Sequence, residues 1–367
     1  MNIKKHAVSG VKWSSTSQVG LQGLQFITTI VLARLLSPAD YGLMGMTMVW
    51  IGFINIFKDL GTSAAIIQRK DLTETTLSSI FWINLAFGFI AMTILFIIAS
   101  LISNFYHEPR LINMLRVLSC TFLIASISIM QQAILERDMA FDKVAKIELA
   151  SVTFSSFIGI ILAFLEAGVW SLVYKTVAEI ALTTILLWIF VAWKPKMVFV
   201  WQEVKSVSKF SLNLTGFNIF NYFSRNTDYL LIGKFLGAQD LGYYTMVYRI
   251  MLFPLQNLSR VIGRVFFPIF SKIQDDNIRF KRVYLNVVGT IALVTFPMMV
   301  GLFAVSKPFV LTILGQQWKP IIILLMILSP VGMLQSVGTT VGIIYQAKGR
   351  TDWMFRWGIF SGIVVIS

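Results

Sequence analysis

The chain has 367 residues, of which 56% are hydrophobic and only 13% are charged, and its mean hydropathy is +0.76. An ordinary soluble domain carries about 25% charged residues, so this composition excludes a water-soluble globular fold. The net charge of +14 does not indicate nucleic-acid binding, because the basic residues lie in loops between apolar runs and are not clustered with aromatic residues on one face.

Apolar runs of about 20 residues, the length that crosses a bilayer as a helix, recur along the whole chain. They predict six spanning helices in the first half, near residues 14–36, 42–66, 77–104, 111–135, 146–166 and 168–193. After a basic linker from Trp193 to Lys209, further spans are predicted near 210–234, 241–270, 283–305 and 319–346, with an eleventh beginning near 352. The pattern therefore predicts an all-α polytopic membrane protein.

Lysine and arginine are distributed unequally between alternate loops. Loops on the side of the N-terminus contain 18 of the 31, loops on the opposite side contain five, and the other eight lie within the predicted spans. Because cytoplasmic loops are enriched in these residues, the asymmetry predicts that the N-terminus lies in the cytoplasm.

One loop sequence occurs twice. Arg34-Leu-Leu-Ser-Pro-Ala-Asp-Tyr-Gly42 aligns with Lys234-Phe-Leu-Gly-Ala-Gln-Asp-Leu-Gly242 at an offset of 200 residues. Six spans separate the copies, so both halves enter the membrane in the same direction and would be related by a pseudo-twofold axis along the membrane normal. The alternative is that a basic residue, a turn and Asp-x-Gly form a common loop pattern that matches by chance.

From this repeat, interpreted as an internal duplication, we predict two six-helix lobes. Residues 1–205 form the N-terminal lobe with its basic cytoplasmic linker, and residues 206–367 form the C-terminal lobe. A helix-for-helix repeat would place a twelfth helix after Ser367, so the chain is expected to contain about 11 of 12 or more helices and to stop in the fifth helix of the second lobe.

The predicted spans retain many ionisable residues, although each costs about 2.5 to 3.5 kcal/mol at the bilayer centre unless it has a partner, a wet cavity or a function. The cations outnumber the acids. By span they are Lys58 and Asp59 in the second, Arg116 in the fourth, Lys175 and Glu179 in the sixth, Arg225 and Asp228 in the seventh, and Arg249, Arg260 and Arg264 in the eighth.

The spacing of these charges separates paired from unpaired cations. Lys175 and Glu179 are four residues apart, and Arg225 and Asp228 are three apart, so each pair lies on one helix face and can neutralise itself. We expect a structural ion pair between Lys175 and Glu179. The arginines of the eighth span have no acid within one turn. They indicate a wet, anion-accepting cavity, with snorkelling towards the headgroups as the alternative for Arg264.

Guanidinium groups bind phosphate and pyrophosphate in a bidentate manner, through two parallel hydrogen bonds. An anionic lipid headgroup is therefore the predicted ligand of these cations. The candidates for the cationic cavity are Arg225, Arg249, Lys58, Arg116 and Arg260. The intramembrane acids Asp59, Asp228 and Glu179 are the candidates for ion coupling. Tryptophan and tyrosine at the span ends are interpreted as interfacial anchors.

Little in the sequence favours an enzyme. The two histidines, His6 and His107, lie outside the spans, and we find no metal-spaced cluster and no phosphate-binding Gly-rich loop, so no catalytic residue, metal or cofactor is predicted. A membrane glycan polymerase would carry a large outward loop, whereas the longest here has about a dozen residues.

A multidrug antiporter remains an alternative, although an organic cation would favour an acidic cavity. The single cysteine, Cys120, is expected to be buried.

Four segments carry a resemblance to a known family. They are Ser9-Gly-Val-Lys-Trp-Ser14, Val31-Leu-Ala-Arg34, Asp59-Leu-Gly61 followed by Ile66-Ile-Gln-Arg-Lys70, and Phe267-Pro-Ile-Phe-Ser-Lys-Ile-Gln-Asp-Asp276. As a set they resemble the Wzx-type polysaccharide exporters, most of all the colanic-acid exporters, within the multidrug, oligosaccharidyl-lipid and polysaccharide superfamily.

The resemblance implies two six-helix lobes around a central cationic cavity in the bacterial inner membrane. It further implies transport by alternating access of an undecaprenyl-pyrophosphate-linked oligosaccharide from the cytoplasmic to the periplasmic leaflet. The partners implied are this lipid-linked anionic glycan, membrane lipid and other polysaccharide-assembly proteins.

Overall fold

The computed structural model describes residues 20–58, 73–201, 212–338, 340–348 and 353, and within these ranges the regular secondary structure is helical. The α-helices are, in chain order, α1 (Gly20–Leu35), α2 (Pro38–Lys58), α3 (Glu74–Tyr106), α4 (Leu111–Ser126), α5 (Ile129–Arg137), α6 (Phe141–Phe164), α7 (Trp170–Phe190), α8 (Leu212–Phe235), α9 (Gly237–Lys272), α10 (Asn277–Phe309), α11 (Ile321–Gly338) and α12 (Val341–Ala347). A π-helical turn, Val310–Leu314, and a 3₁₀ turn, Gln316–Trp318, connect α10 to α11.

The predicted all-α membrane fold is confirmed. Five of the described helices are long and apolar enough to cross a membrane, namely α3, α6, α7, α10 with its π-helical turn, and α11. The helices α4 and α5 together form a sixth candidate span. The protein is therefore a multi-pass membrane protein. The second predicted span beyond Lys58 and the eleventh span, apart from Trp353, lie outside the described residues.

The fourth predicted span, 111–135, is not one straight helix. It is divided into α4 and α5, which meet at an angle of 43°. Two carbonyl groups at the break accept hydrogen bonds from side chains of α7: Trp188 Nε1 donates to Ile127 O at 3.1 Å, and Thr184 Oγ1 donates to Ile124 O at 3.2 Å. A break inside a membrane is tolerated because neighbouring helices satisfy the released backbone groups in this way.

The repeated loop sequence has a local structural cause in its first copy. Ser37 precedes α2, and its backbone N–H donates to Asp40 Oδ2 at 2.9 Å, while the Asp40 N–H donates to Ser37 Oγ at 3.3 Å. This reciprocal pair is a capping box, and Pro38 occupies the first helical position, where its missing N–H costs nothing. In the second copy Gly237 begins α9 with a φ of +86°, and Asp240 lies in the first turn. Both copies therefore encode the start of a helix, and the pseudo-twofold axis remains a prediction.

The chain divides into two compact units, with the boundary in the sequence between Gly237 and Ala238. In the first, α3 packs on α4, α6 packs on α7, and α2 packs on α8; in the second, α10 packs on α11. The helix α8, which opens the predicted C-terminal lobe, thus packs within the first unit. The lobe boundary at residues 205 and 206 was placed by the repeat and remains a prediction.

Cys120 is exposed, which corrects the expectation that it is buried. Its neighbours Leu118, Ser119 and Phe122 occupy the buried side of α4, and Cys120 lies on the side that points away from them. The sequence could not separate these cases, because a membrane helix surrounded by lipid is apolar on its outer side as well as on its inner side.

Candidate functional site

Arg116 on α4 is a half-buried cation within a spanning helix. Its Cζ atom lies 4.9 Å from the centroid of the Phe96 ring on α3, a cation–π contact that stabilises the charge without neutralising it. Its Nε atom is buried and, within the part of the chain that the structure describes, has no hydrogen-bond acceptor. Among the described residues no ion pair neutralises the guanidinium of Arg116.

Lys175 and Glu179 on α7 form the expected ion pair. Lys175 Nζ lies 3.0 Å from Glu179 Oε2, and the two side chains are 18% and 32% exposed. The stem of Lys175 lies against Gly159 of α6, where an added Cβ would be 3.0 Å from Lys175 Cβ. The close approach of α6 and α7 at this glycine holds the lysine in position, and the carboxylate of Glu179 is engaged by it.

Arg225 and Asp228 on α8 are spaced for an ion pair but do not form one. Arg225 is exposed and makes no ion pair with any residue that the structure describes. The Oδ1 atom of Asp228 accepts a hydrogen bond from the backbone N–H of Tyr229 at 2.9 Å. The short aspartate side chain bonds to a neighbouring backbone group, a common alternative for this residue. The spacing of the two residues was read correctly, but the competing backbone contact was missed.

Aromatic side chains hold α8 against α2 and were not predicted to do so. Tyr222 Oη donates to Val49 O at 2.6 Å, and the Tyr222 ring lies where a side chain on Gly52 would be. Phe223 packs on Phe53 with ring centroids 4.8 Å apart. Tyr222 is therefore a packing residue between two helices, whereas the sequence predicted an interfacial anchor. The sequence signal that was missed is a glycine within an aromatic-rich helix, which allows close approach of a large ring.

The remaining candidates are placed less completely. Arg249 is exposed on α9, in the second unit. Lys58 ends α2 and Arg260 lies within α9, but the positions of both side chains, and all of Asp59, lie outside the described part of the structure. The described residues bring Lys175 and Glu179 together, and membership of the other charges in one cavity remains a proposal. These residues contain no group of three or more histidine, cysteine, aspartate or glutamate side chains that could hold a metal ion.

Comparisons with known proteins agree with this architecture. Residues 31–323 match the family model described as "Polysaccharide biosynthesis protein". The teichuronic acid biosynthesis protein TuaB of Bacillus subtilis (strain 168) is 32% identical over 367 residues, which cover all of this chain and 76% of TuaB. The lipopolysaccharide biosynthesis protein WzxC of Escherichia coli (strain K12) is 29% identical over 372 residues, covering all of this chain and 75% of WzxC.

Solved structures share the fold at low sequence identity. The lipid II flippase MurJ in an inward closed conformation superposes with a TM-score of 0.76 at 17% identity, covering 96% of this chain and 79% of MurJ. The eukaryotic MATE transporter AtDTX14 superposes with a TM-score of 0.54 at 8% identity, covering 94% of this chain and 84% of AtDTX14. The resemblance read from the sequence motifs to Wzx-type exporters is confirmed by these comparisons, and the chain belongs to the polysaccharide biosynthesis protein family.

Proposed function

We propose that this protein moves a lipid-linked anionic glycan precursor, such as an undecaprenyl-pyrophosphate-linked oligosaccharide, across the bacterial inner membrane with its N-terminus in the cytoplasm. Family membership supports this, as do relatives named for lipopolysaccharide biosynthesis, teichuronic acid biosynthesis and succinoglycan transport. The observation that carries the proposal is Arg225. It is an exposed guanidinium on α8, without an ion pair among the described residues.

The chemistry of the cations fits the pyrophosphate of such a precursor. An arginine grips two oxygens of a phosphate at once and stays charged in a poorly hydrated cavity, which a lysine does less well. We propose Arg225 as a contact of the pyrophosphate, and Arg249, Lys58, Arg116 and Arg260 are the further candidate cations. The guanidinium of Arg116 lies over the Phe96 ring and has no ion pair among the described residues, which supports its inclusion.

Transport would occur by alternating access, with two halves rocking about the cationic site while the prenyl tail stays in lipid. The acids proposed for ion coupling are Asp59, Asp228 and Glu179. Among them Glu179 is the weakest candidate, because its carboxylate already neutralises Lys175 at 3.0 Å. No covalent step is part of this mechanism.

A MATE transporter shares the fold, and the alternative proposal for this chain is therefore antiport of an organic cation. The excess of cations over acids in the spanning helices opposes it, because a cationic substrate would be repelled. A glycan polymerase is opposed by the short connections on the predicted outward side, of which the longest described one runs between Phe309 and Ile321.

The test is complementation of a bacterial strain that lacks its own glycan flippase. The intact protein is compared with Arg225→Gln, Arg225→Lys and Arg110→Gln at matched membrane levels, scoring surface polysaccharide and accumulated lipid-linked precursor. Arg110 is the matched control, because it is also an exposed arginine but lies in the α3–α4 loop, paired with Glu108 at 3.1 Å. We expect Arg225→Gln to lower surface polysaccharide about tenfold or more, since a hydrogen bond to a charged group contributes about 1.5–3 kcal/mol.

The variants also separate charge from geometry. Arg225→Lys should retain part of the activity, because it keeps the charge and loses the two-pronged grip, and Arg110→Gln should match the intact protein. Normal polysaccharide from Arg225→Gln would remove Arg225 from the site. Failure of the intact protein while precursor is present would show that the cargo or the transport class is wrong.

A further inference from the structure

Residues 191–201, which follow α7 and which we call the linker strap, are fixed along the first turns of α3. The Lys196 N–H donates to Ser78 Oγ at 3.1 Å, and the Val200 N–H donates to Ser79 Oγ at 2.9 Å. In return Trp82 Nε1 donates to Lys196 O at 2.9 Å. Three hydrogen bonds to one helix give this non-helical segment a defined orientation.

The linker strap has two chemically different sides. Inwards, Trp193 packs on Phe81 with ring centroids 6.2 Å apart, within a buried apolar cluster. Outwards, Met197, Phe199 and Trp201 are 89%, 50% and 61% exposed. The side chains of Lys194 and Lys196 are exposed among them. The outer side of the linker strap therefore presents an exposed surface that is both apolar and cationic.

The depth of the linker strap in the membrane follows from helix lengths. The helix α7 has 21 residues, about 32 Å, and just crosses a hydrocarbon core of about 30 Å before the strap begins. The helix α3 has 33 residues, about 50 Å, and therefore extends beyond the core. Its large exposed hydrophobic residues run from Phe89 to Leu101, whereas its strap contacts come earlier, at Ser78 to Trp82. The strap therefore lies at headgroup level.

We propose that the outer side of the linker strap docks on anionic phospholipid headgroups in the leaflet where α3 begins. Tryptophan and phenylalanine partition into the interface, and lysines near it are attracted by anionic lipid. Lys196 Nζ is 3.6 Å from Glu74 Oε2, but both side chains are more than half exposed, so this pair is weak and leaves the ammonium accessible to lipid. The linker strap would thus bind anionic lipid whichever glycan the protein transports.

The test uses the full chain with Cys120→Ser and a single introduced cysteine, Met197→Cys, carrying an environment-sensitive fluorophore. The matched control is Asp275→Cys, in an exposed polar turn predicted on the same side of the membrane. Each protein is placed in nanodiscs of phosphatidylcholine, or of phosphatidylcholine with phosphatidylglycerol, containing a lipid with a nitroxide on its headgroup. We expect stronger quenching at position 197 than at position 275, increasing with phosphatidylglycerol.

Replacing Lys194 and Lys196 by glutamine should lower the phosphatidylglycerol-dependent increase in quenching, because each lysine contributes about fivefold in affinity for an anionic surface. Equal quenching at positions 197 and 275 in both lipid mixtures would overturn docking on the bilayer. Protection of position 197 from aqueous iodide in detergent as well as in nanodiscs would show that another part of the chain covers the strap. Quenching that changes neither with phosphatidylglycerol nor with the lysine replacements would overturn the recognition of anionic lipid.

Discussion

The helices α7 and α8 each carry a cation and an acid within one turn, yet only α7 forms the ion pair. On α7 the Lys175 ammonium lies 3.0 Å from the Glu179 carboxylate. On α8 Asp228 accepts from the N–H of Tyr229, and Arg225 is exposed. A lysine that precedes a glutamate by four residues is the less favourable order in an isolated helix, so spacing alone does not explain the difference.

The neighbouring helix and the length of the acid do explain it. Gly159 on α6 leaves room for the stem of Lys175 and restricts where its ammonium can go. Glutamate is long enough to reach that ammonium, whereas aspartate is short enough to bond to the adjacent backbone. The charges of α7 therefore neutralise each other. The guanidinium of α8 is exposed and has no ion pair among the described residues, and for this reason we proposed Arg225 as a ligand contact.

The largest effect on stability is expected where α6 and α7 approach most closely. In Gly159→Leu the new Cβ would lie 3.0 Å from Lys175 Cβ, and the rest of the side chain would force the helices apart. We expect a loss of about 1–3 kcal/mol, measured as a lower melting temperature of the purified protein in detergent. The control is Gly289→Leu in α10, where an added Cβ has no atom within 4 Å. Equal melting temperatures for the two variants would contradict this account of α7.

A smaller loss is expected from Glu179→Gln, which leaves the charge of Lys175 without its carboxylate. Breaking a fully buried pair costs about 3–5 kcal/mol, and the partial exposure of these side chains, 18% and 32%, reduces this to about 1–2 kcal/mol. The same melting assay measures it. The double variant Lys175→Met with Glu179→Gln removes the isolated charge and should regain most of the loss. A double variant as unstable as Glu179→Gln alone would show that the lysine stem, and not its charge, is what matters.

The helices α3, α6, α7, α10 and α11 were predictable from sequence because each contains an apolar run long enough to span a membrane. The start of α2 is encoded locally, because Ser37 and Asp40, three residues apart, cap the helix through hydrogen bonds to each other. The bend between α4 and α5 was not predictable from the local sequence. The carbonyl groups released at the bend accept hydrogen bonds from Thr184 and Trp188, about sixty residues further along the chain.

The site was predictable in composition and less so in geometry. The sequence shows that Arg116 lies in an apolar run, but it does not show that Phe96 lies under the guanidinium of Arg116. Nor does it show that Tyr222 fixes α8 to α2 by donating to Val49 O at 2.6 Å. Both contacts join residues far apart in the chain, and no periodicity encodes them.

The smallest effect on stability is expected from Arg225→Gln, although its effect on transport is expected to be large. Arg225 is exposed and has no ion pair within the described residues, so its replacement should change the free energy of unfolding by less than about 0.5 kcal/mol. The melting assay used for Glu179→Gln provides the comparison under identical conditions. If Arg225→Gln destabilised the protein as much as Glu179→Gln does, the guanidinium would have a structural partner. A loss of polysaccharide in that variant would then reflect folding, and the contrast between the charges of α7 and α8 would disappear.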